Sequence, residues 1–138
     1  MADQTITPRA FTLPNQVIEL AAGSYEDLTS SNDGIFAVPK DGKYLIHLID
    51  ASGGAVVTIQ HGDGPLAGKG DLVSSAAAAL GGTAAVMTIA LHNFAVIESA
   101  RFKWLTQDDG VISGDTGMLG MIRIATTANI KAAVIVLP

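Results

Sequence analysis

The sequence predicts an all-β fold: an antiparallel β-sandwich, jelly-roll-like, with an extended N-terminal arm. Three observations carry that expectation. Apolar residues make up 49% of the chain and aromatics only 5%, so the apolar content is small and aliphatic. Its β-branched members pack well on a pleated surface. The 15 glycines and 5 prolines are scattered along the chain, as tight turns between short strands require. Apolar runs between these turns recur about every ten residues, which gives roughly eight or nine strands. At 138 residues one hydrophobic core suffices, so the organisation is residues 1–15 as arm and residues 16–138 as a single sandwich domain.

The arm alternates polar and apolar residues, but Thr5-Ile6-Thr7-Pro8 and Thr12-Leu13-Pro14 each stop at a proline. Proline donates no ladder hydrogen bond, so the segment is extended, at an edge or off the body. Its Ile6, Pro8, Phe11, Leu13 and Pro14 are the candidate contacts with a neighbouring subunit. Residues 16–21 read as the first clean strand. Ser30-Ser31-Asn32-Asp33-Gly34 reads as a turn, residues 35–38 as a strand ended by Pro39, and Lys40-Asp41-Gly42-Lys43 as a hairpin with Gly42 at positive φ. Residues 44–50 (YLIHLID) are apolar on both faces except at His47, which predicts an interior strand.

A turn at residues 52–54 leads to a strand over 55–61 and a glycine-rich loop over 62–70. Residues 71–75 are short and extended. Residues 75–85 (SAAAALGGTAA) read as a surface loop or one helical turn, because Gly81-Gly82 stops any helix. Strands follow at 85–91 and 95–104 around His92-Asn93. In the second, Phe102 and Trp104 share one face; these two and Phe94 are expected in the core, the alternative being a ligand platform. Residues 107–110 are a second Asp-Gly hairpin, residues 111–113 are briefly extended, and strands over 119–126 and 130–137 close the chain.

Charged residues are only 15% of the chain, below the usual quarter. The shortage points to a surface covered by another subunit, the alternative being a surface merely rich in alanine. The net charge of −5 with 8 Lys and Arg offers no basic stripe for nucleic acid. No apolar run approaches the ~20 residues that span a bilayer, and the polar start Met1-Ala2-Asp3-Gln4 lacks the order of a signal peptide. A chain without cysteine has no disulfide frame, no thiolate zinc site and no cysteine nucleophile.

Catalytic patterns fail in detail. The loop GDGPLAGKG places Asp63 where a phosphate-binding loop needs glycine, and Gly70 where it needs a hydroxyl. His47, His61 and His92 stand in no HxH or HExxH spacing, and no G-x-S-x-G elbow is present. The turns at Asn32-Asp33-Gly34 and Asp108-Asp109-Gly110 lack the spaced acids of a calcium loop. Glu98, Arg101 and Lys103 are spaced for surface ion pairs. The reading is of a protein that binds and packs, with no enzyme activity, cofactor or metal.

The runs VPKDGKYLIHLID, GDGPLAGKGDLV, ESARFKW and AAVIVLP, spanning residues 38–138, resemble the head decoration or cement proteins of tailed phages. The resemblance implies a β-domain that clusters as homotrimers on the capsid exterior, binds the major capsid protein and bridges neighbouring capsomers. Such a protein is made in the host cytoplasm and resides in the virion. The arm then becomes a candidate contact with the capsid as well as with sister subunits. Residues 76–83 depart from the shorter loop the resemblance implies. The rival reading is a trimeric tail-fibre or receptor-binding β-domain, which needs exposed rings. Tyr25, Tyr44 and Trp104 are its candidates, the latter two reading as buried.

Overall fold

The computed structural model describes residues 3–11, 15–50, 55–62, 72–73, 92–105 and 120–138, with residues 72–73 and 92–93 described as backbone alone. The chain is mostly β. The strands are β1 (Gln4–Thr5), β2 (Arg9–Ala10), β3 (Glu26–Leu28), β4 (Gly34–Ala37), β5 (Lys43–Ile49), β6 (Val57–Ile59), β7 (Leu72–Val73), β8 (His92–Glu98), β9 (Met121–Thr126) and β10 (Ile130–Val136). A 3₁₀ turn covers Ala22–Ser24, and one helical turn, α1, covers Ser99–Phe102. No helix among the described residues is long and apolar enough to cross a membrane.

Two sheets form. One runs β1-β4-β9-β6-β7 and the other β2-β10-β5-β8, with β3 also paired to β10. Most neighbours are antiparallel, but β1 runs parallel to β4 and β2 parallel to β10. The sheets are therefore mixed, not purely antiparallel, because the N-terminal segment joins one edge of each in the parallel sense. One buried cluster draws on both sheets: Phe36, Val57, Ile122 and Ile124 from the first, Ile46, Leu48, Ile97 and Val134 from the second.

The N-terminal segment departs from the expectation that it lies off the core. Ile6 is 1% exposed and belongs to the buried cluster. The amides of Gln4 and Ile6 donate to the carbonyls of Asp33 and Ile35, each at 2.8 Å. A Cβ on Gly34 would lie 2.9 Å from Ile6 Cδ1 and 2.8 Å from Leu28 Cδ1. Glycine at 34 is thus what opens the socket that Ile6 and Leu28 fill. Asp3 adds a charged anchor: Arg123, fully buried, places Nη1 3.0 Å from Asp33 Oδ2 and 3.3 Å from Asp3 Oδ1. Removing one partner from so buried a group is costly. Pro8 and Phe11 are half-buried, and the Phe11 amide donates to the Val136 carbonyl. Leu13 and Pro14 lie outside the described residues.

Other expectations shift for identifiable reasons. Residues 16–21 are not a strand, and Val17 is 91% exposed. The strand of this region is instead Glu26–Leu28, paired with β10, which was not foreseen. The turn at residues 40–43 is no hairpin, since β4 and β5 belong to different sheets. Gly42 accordingly does not adopt positive φ. The strand expected at 95–104 begins earlier and ends at Glu98, where α1 takes over. Phe102 and Trp104 consequently part: Phe102 enters the main core, while Trp104 packs with Ile35 and Met121. The strands at β4, β5, β6, β9 and β10 fall where the sequence places them. The expectations for residues 52–54, 63–71, 74–91 and 106–119 lie outside the described residues.

Truncating Ile6 to Ala is expected to lower unfolding stability by about 2–5 kcal/mol, the cost of emptying a buried aliphatic site, as read by urea denaturation. An unchanged midpoint would remove the segment from the core.

Candidate interaction surface

Alternation along β5 divides its residues between two faces. Tyr44, Ile46 and Leu48 point into the buried cluster, so Leu45, His47 and Ile49 occupy the opposite face. The register extends that face sideways. Leu45 stands between Val96 of β8 and Ile135 of β10, and His47 stands between Phe94 and Ala133. Leu45, Ile49 and Ile135 are half-buried, whereas Phe94 is 61% and Val96 59% exposed. The apolar positions adjoin one another on this face, but Ala133 is fully buried, so the exposed apolar surface is that of Phe94 and Val96, flanked by the half-buried residues.

At its centre three rings hold one another. His47 stacks on Phe94 with centroids 4.5 Å apart and planes 8° from parallel. Tyr25, just ahead of β3, meets His47 edge-on at 5.4 Å. The Tyr25 hydroxyl lies 2.7 Å from His47 Nδ1. When Tyr25 donates, the imidazole proton sits on Nε2. Burial pushes the Tyr25 phenol above its ordinary value. His47 is only 6% exposed despite facing outward, because its neighbours cover it.

Charged residues bound the apolar centre. At one end Lys43 stands opposite Glu98 in register. At the other, Lys131 stands opposite Ile49 and its Nζ lies 2.6 Å from Asp27 Oδ1. Both partners of that pair are more than half exposed, so it contributes little to stability. An apolar centre with a polar rim is the anatomy of a protein contact.

The end of β8 is fixed by a polar lock. The Ser99 amide donates to the Gly42 carbonyl at 3.0 Å, and the Gly42 amide donates to Ser99 Oγ at 3.0 Å. Ser99 Oγ in turn donates to Asp41 Oδ1 at 3.0 Å, and Lys103 Nζ lies 2.6 Å from the same oxygen. Lys103 thus pairs with Asp41, an arrangement distinct from the Glu98 pairing the spacing suggested. Ser99 is fully buried and serves as a tie between two turns.

The arm residues do not gather on this face. Ile6 is in the core, and Pro8 lines a separate cleft of about 770 Å³ with Pro39, Tyr44, Leu137 and Pro138. His61 is exposed, and among the described residues no group of three metal-ligating side chains comes together. Tyr44 and Trp104 are buried, at 1% and 7% exposure. Phe94, which the sequence assigns to core packing, is the residue that the structure exposes. The alternation Phe94, Val96, Glu98 against Ala95 and Ile97 was the available signal: a terminal glutamate marks the outward face. No family model, no curated protein and no solved structure matches the chain.

The lock titrates. The Lys103 ammonium, helped by the Ser99 hydroxyl, holds the Asp41 carboxyl below its ordinary value. A depressed carboxylate contributes stability that is fully present above the unfolded value, about 3.9, and is lost as pH falls through the folded one. Wild type should therefore exceed Asp41→Asn in urea midpoint at pH 6, with the gap narrowing below about pH 4. A gap of constant size across that range would contradict the lock.

Proposed function

We propose that the protein is a structural virion component that binds the outer surface of a phage capsid, bridges neighbouring capsomers and stabilises the head. The observation that carries the binding role is the exposed apolar face of β8, β5 and β10, with Phe94 and Val96 standing out of an otherwise well-buried sheet. The capsid as partner comes from the resemblance of residues 38–138 to head decoration proteins. In this reading the two sheets are the layers of a jelly-roll-like β-sandwich. A rigid sheet presents the contact face at little ordering cost. A partner that binds only the assembled shell then stabilises it by mass action. Pro8 and Phe11 remain available to a neighbour at the surface of the N-terminal segment, while Ile6 serves the protein's own core. The copies on the shell associate with one another, as the low charge content suggests.

A second reading, a tail-fibre or receptor-binding domain, draws on the Tyr25–His47–Phe94 stack, whose exposed ring could lie against a sugar. The two readings separate in one experiment. Wild-type protein should co-sediment with undecorated heads and raise their resistance to heat, and Phe94→Ser should weaken that binding by about tenfold or more, the loss of a central aromatic contact. Protein that leaves heads unbound but is retained on host-surface glycans would replace the first reading with the second.

A further inference from the structure

Among the described residues five strands stand at sheet edges, β1, β2, β3, β7 and β8, and all but β8 are short, β3 having three residues. Strands β1, β2 and β7 have two residues each. The fifth, β8, has seven, His92–Glu98. It pairs with β5 along its whole length, and no other described strand pairs with it. Long open edges invite pairing with another chain, and monomeric proteins blunt them with lysine, proline or a bulge. The run HNFAVIE carries none of these: no lysine, no proline and no glycine. Phe94, Val96 and Glu98 are all exposed on one face.

We infer that β8 pairs antiparallel with β8 of a second copy about a two-fold axis at Ala95, joining two sheets into one. This rests on the reading of the protein as an assembling structural component and names the partner of that edge. The sequence of the strand is complementary to itself in that register. With Ala95 opposite Ala95, Phe94 falls opposite Val96 and Val96 opposite Phe94, which are favourable aromatic–β-branched pairs. It is also the one register that pairs all seven residues of the strand with each other. The length of the strand, its edge position among the described residues and the apolar pair select a second copy over an unrelated strand. Two-fold symmetry repeats each contact, so one substitution alters two sites. The joined outer faces then present a doubled apolar surface to the shell.

The test is native mass by sedimentation velocity from about 1 to 100 µM, the range in which weak edge pairing is populated, with circular dichroism as the check on folding. Wild type should reach twice the 14.1 kDa chain mass. Val96→Lys, at an exposed position, should remain folded and monomeric. Phe94→Glu, also at an exposed position, should likewise be monomeric, and combining it with Val96→Lys should restore pairing, because opposite charges then meet across the seam at both sites. A wild-type monomer at the highest concentration overturns the inference. So does a trimer, or any oligomer whose mass is insensitive to both substitutions. A wild-type dimer that behaves as described but ignores undecorated heads upholds this contact and removes the proposed function instead.

Discussion

Because β5 lies between β10 and β8, each of its residues must commit to one side of the sheet or the other. That constraint organises the molecule. Tyr44, Ile46 and Leu48 supply the wall against which the other sheet, Leu28 and Ile6 pack. The intervening Leu45, His47 and Ile49 cannot reach that core, so they build the opposite surface. A slip of one residue in the β5 register would exchange the two sets and bury Lys43. The core and the outer face are therefore not independent designs, since the same ladder of hydrogen bonds sets both.

The N-terminal segment and the Ser99 lock hold this arrangement at its margins. Ile6 closes the core over Gly34, and Arg123 ties Asp3 to Asp33. A segment of two very short strands gains its place from one buried aliphatic side chain and one buried ion cluster more than from its ladder. At the other margin, Ser99 and Asp41 stop β8 at Glu98 and turn the chain into α1. The edge of β8 is left long and regular up to that point. The extent of the exposed strand thus follows from where it is made to end.

What was legible in the sequence was whatever depended on local periodicity and turns. Strands β4, β5, β9 and β10 are runs of Ile, Val, Leu and Phe bounded by Gly, Pro or Asp, and they fall close to their expected places. The interior place of β5 was legible too, because residues 44–49 are apolar on both faces except at His47. What escaped depends on contacts distant in sequence. Prolines at 8 and 14 suggested an arm, but only the absence of a Cβ at Gly34, 28 residues further on by the register with β1, admits Ile6 to the core. Glu26–Leu28 forms a strand by pairing with β10, a partner about a hundred residues away, while the more apolar residues 16–21 form none. Phe94 looked like core because it is aromatic, and its exposure follows from its position opposite His47 on the outer side of β5. Local pattern does not reveal which neighbour a strand will have.

The central claim is that one face of the β8-β5-β10 sheet is core and the other is surface. Equilibrium urea denaturation of Ile46→Ala and Phe94→Ser, at concentrations below about 1 µM where weak association is negligible, compares the two faces directly. Ile46→Ala should lose about 2–5 kcal/mol through the cavity it leaves, while Phe94→Ser should lose less than about 1 kcal/mol, as an exposed site does. Equal losses at both positions would mean that Phe94 is covered within its own chain, and the surface on which the functional account rests would not exist.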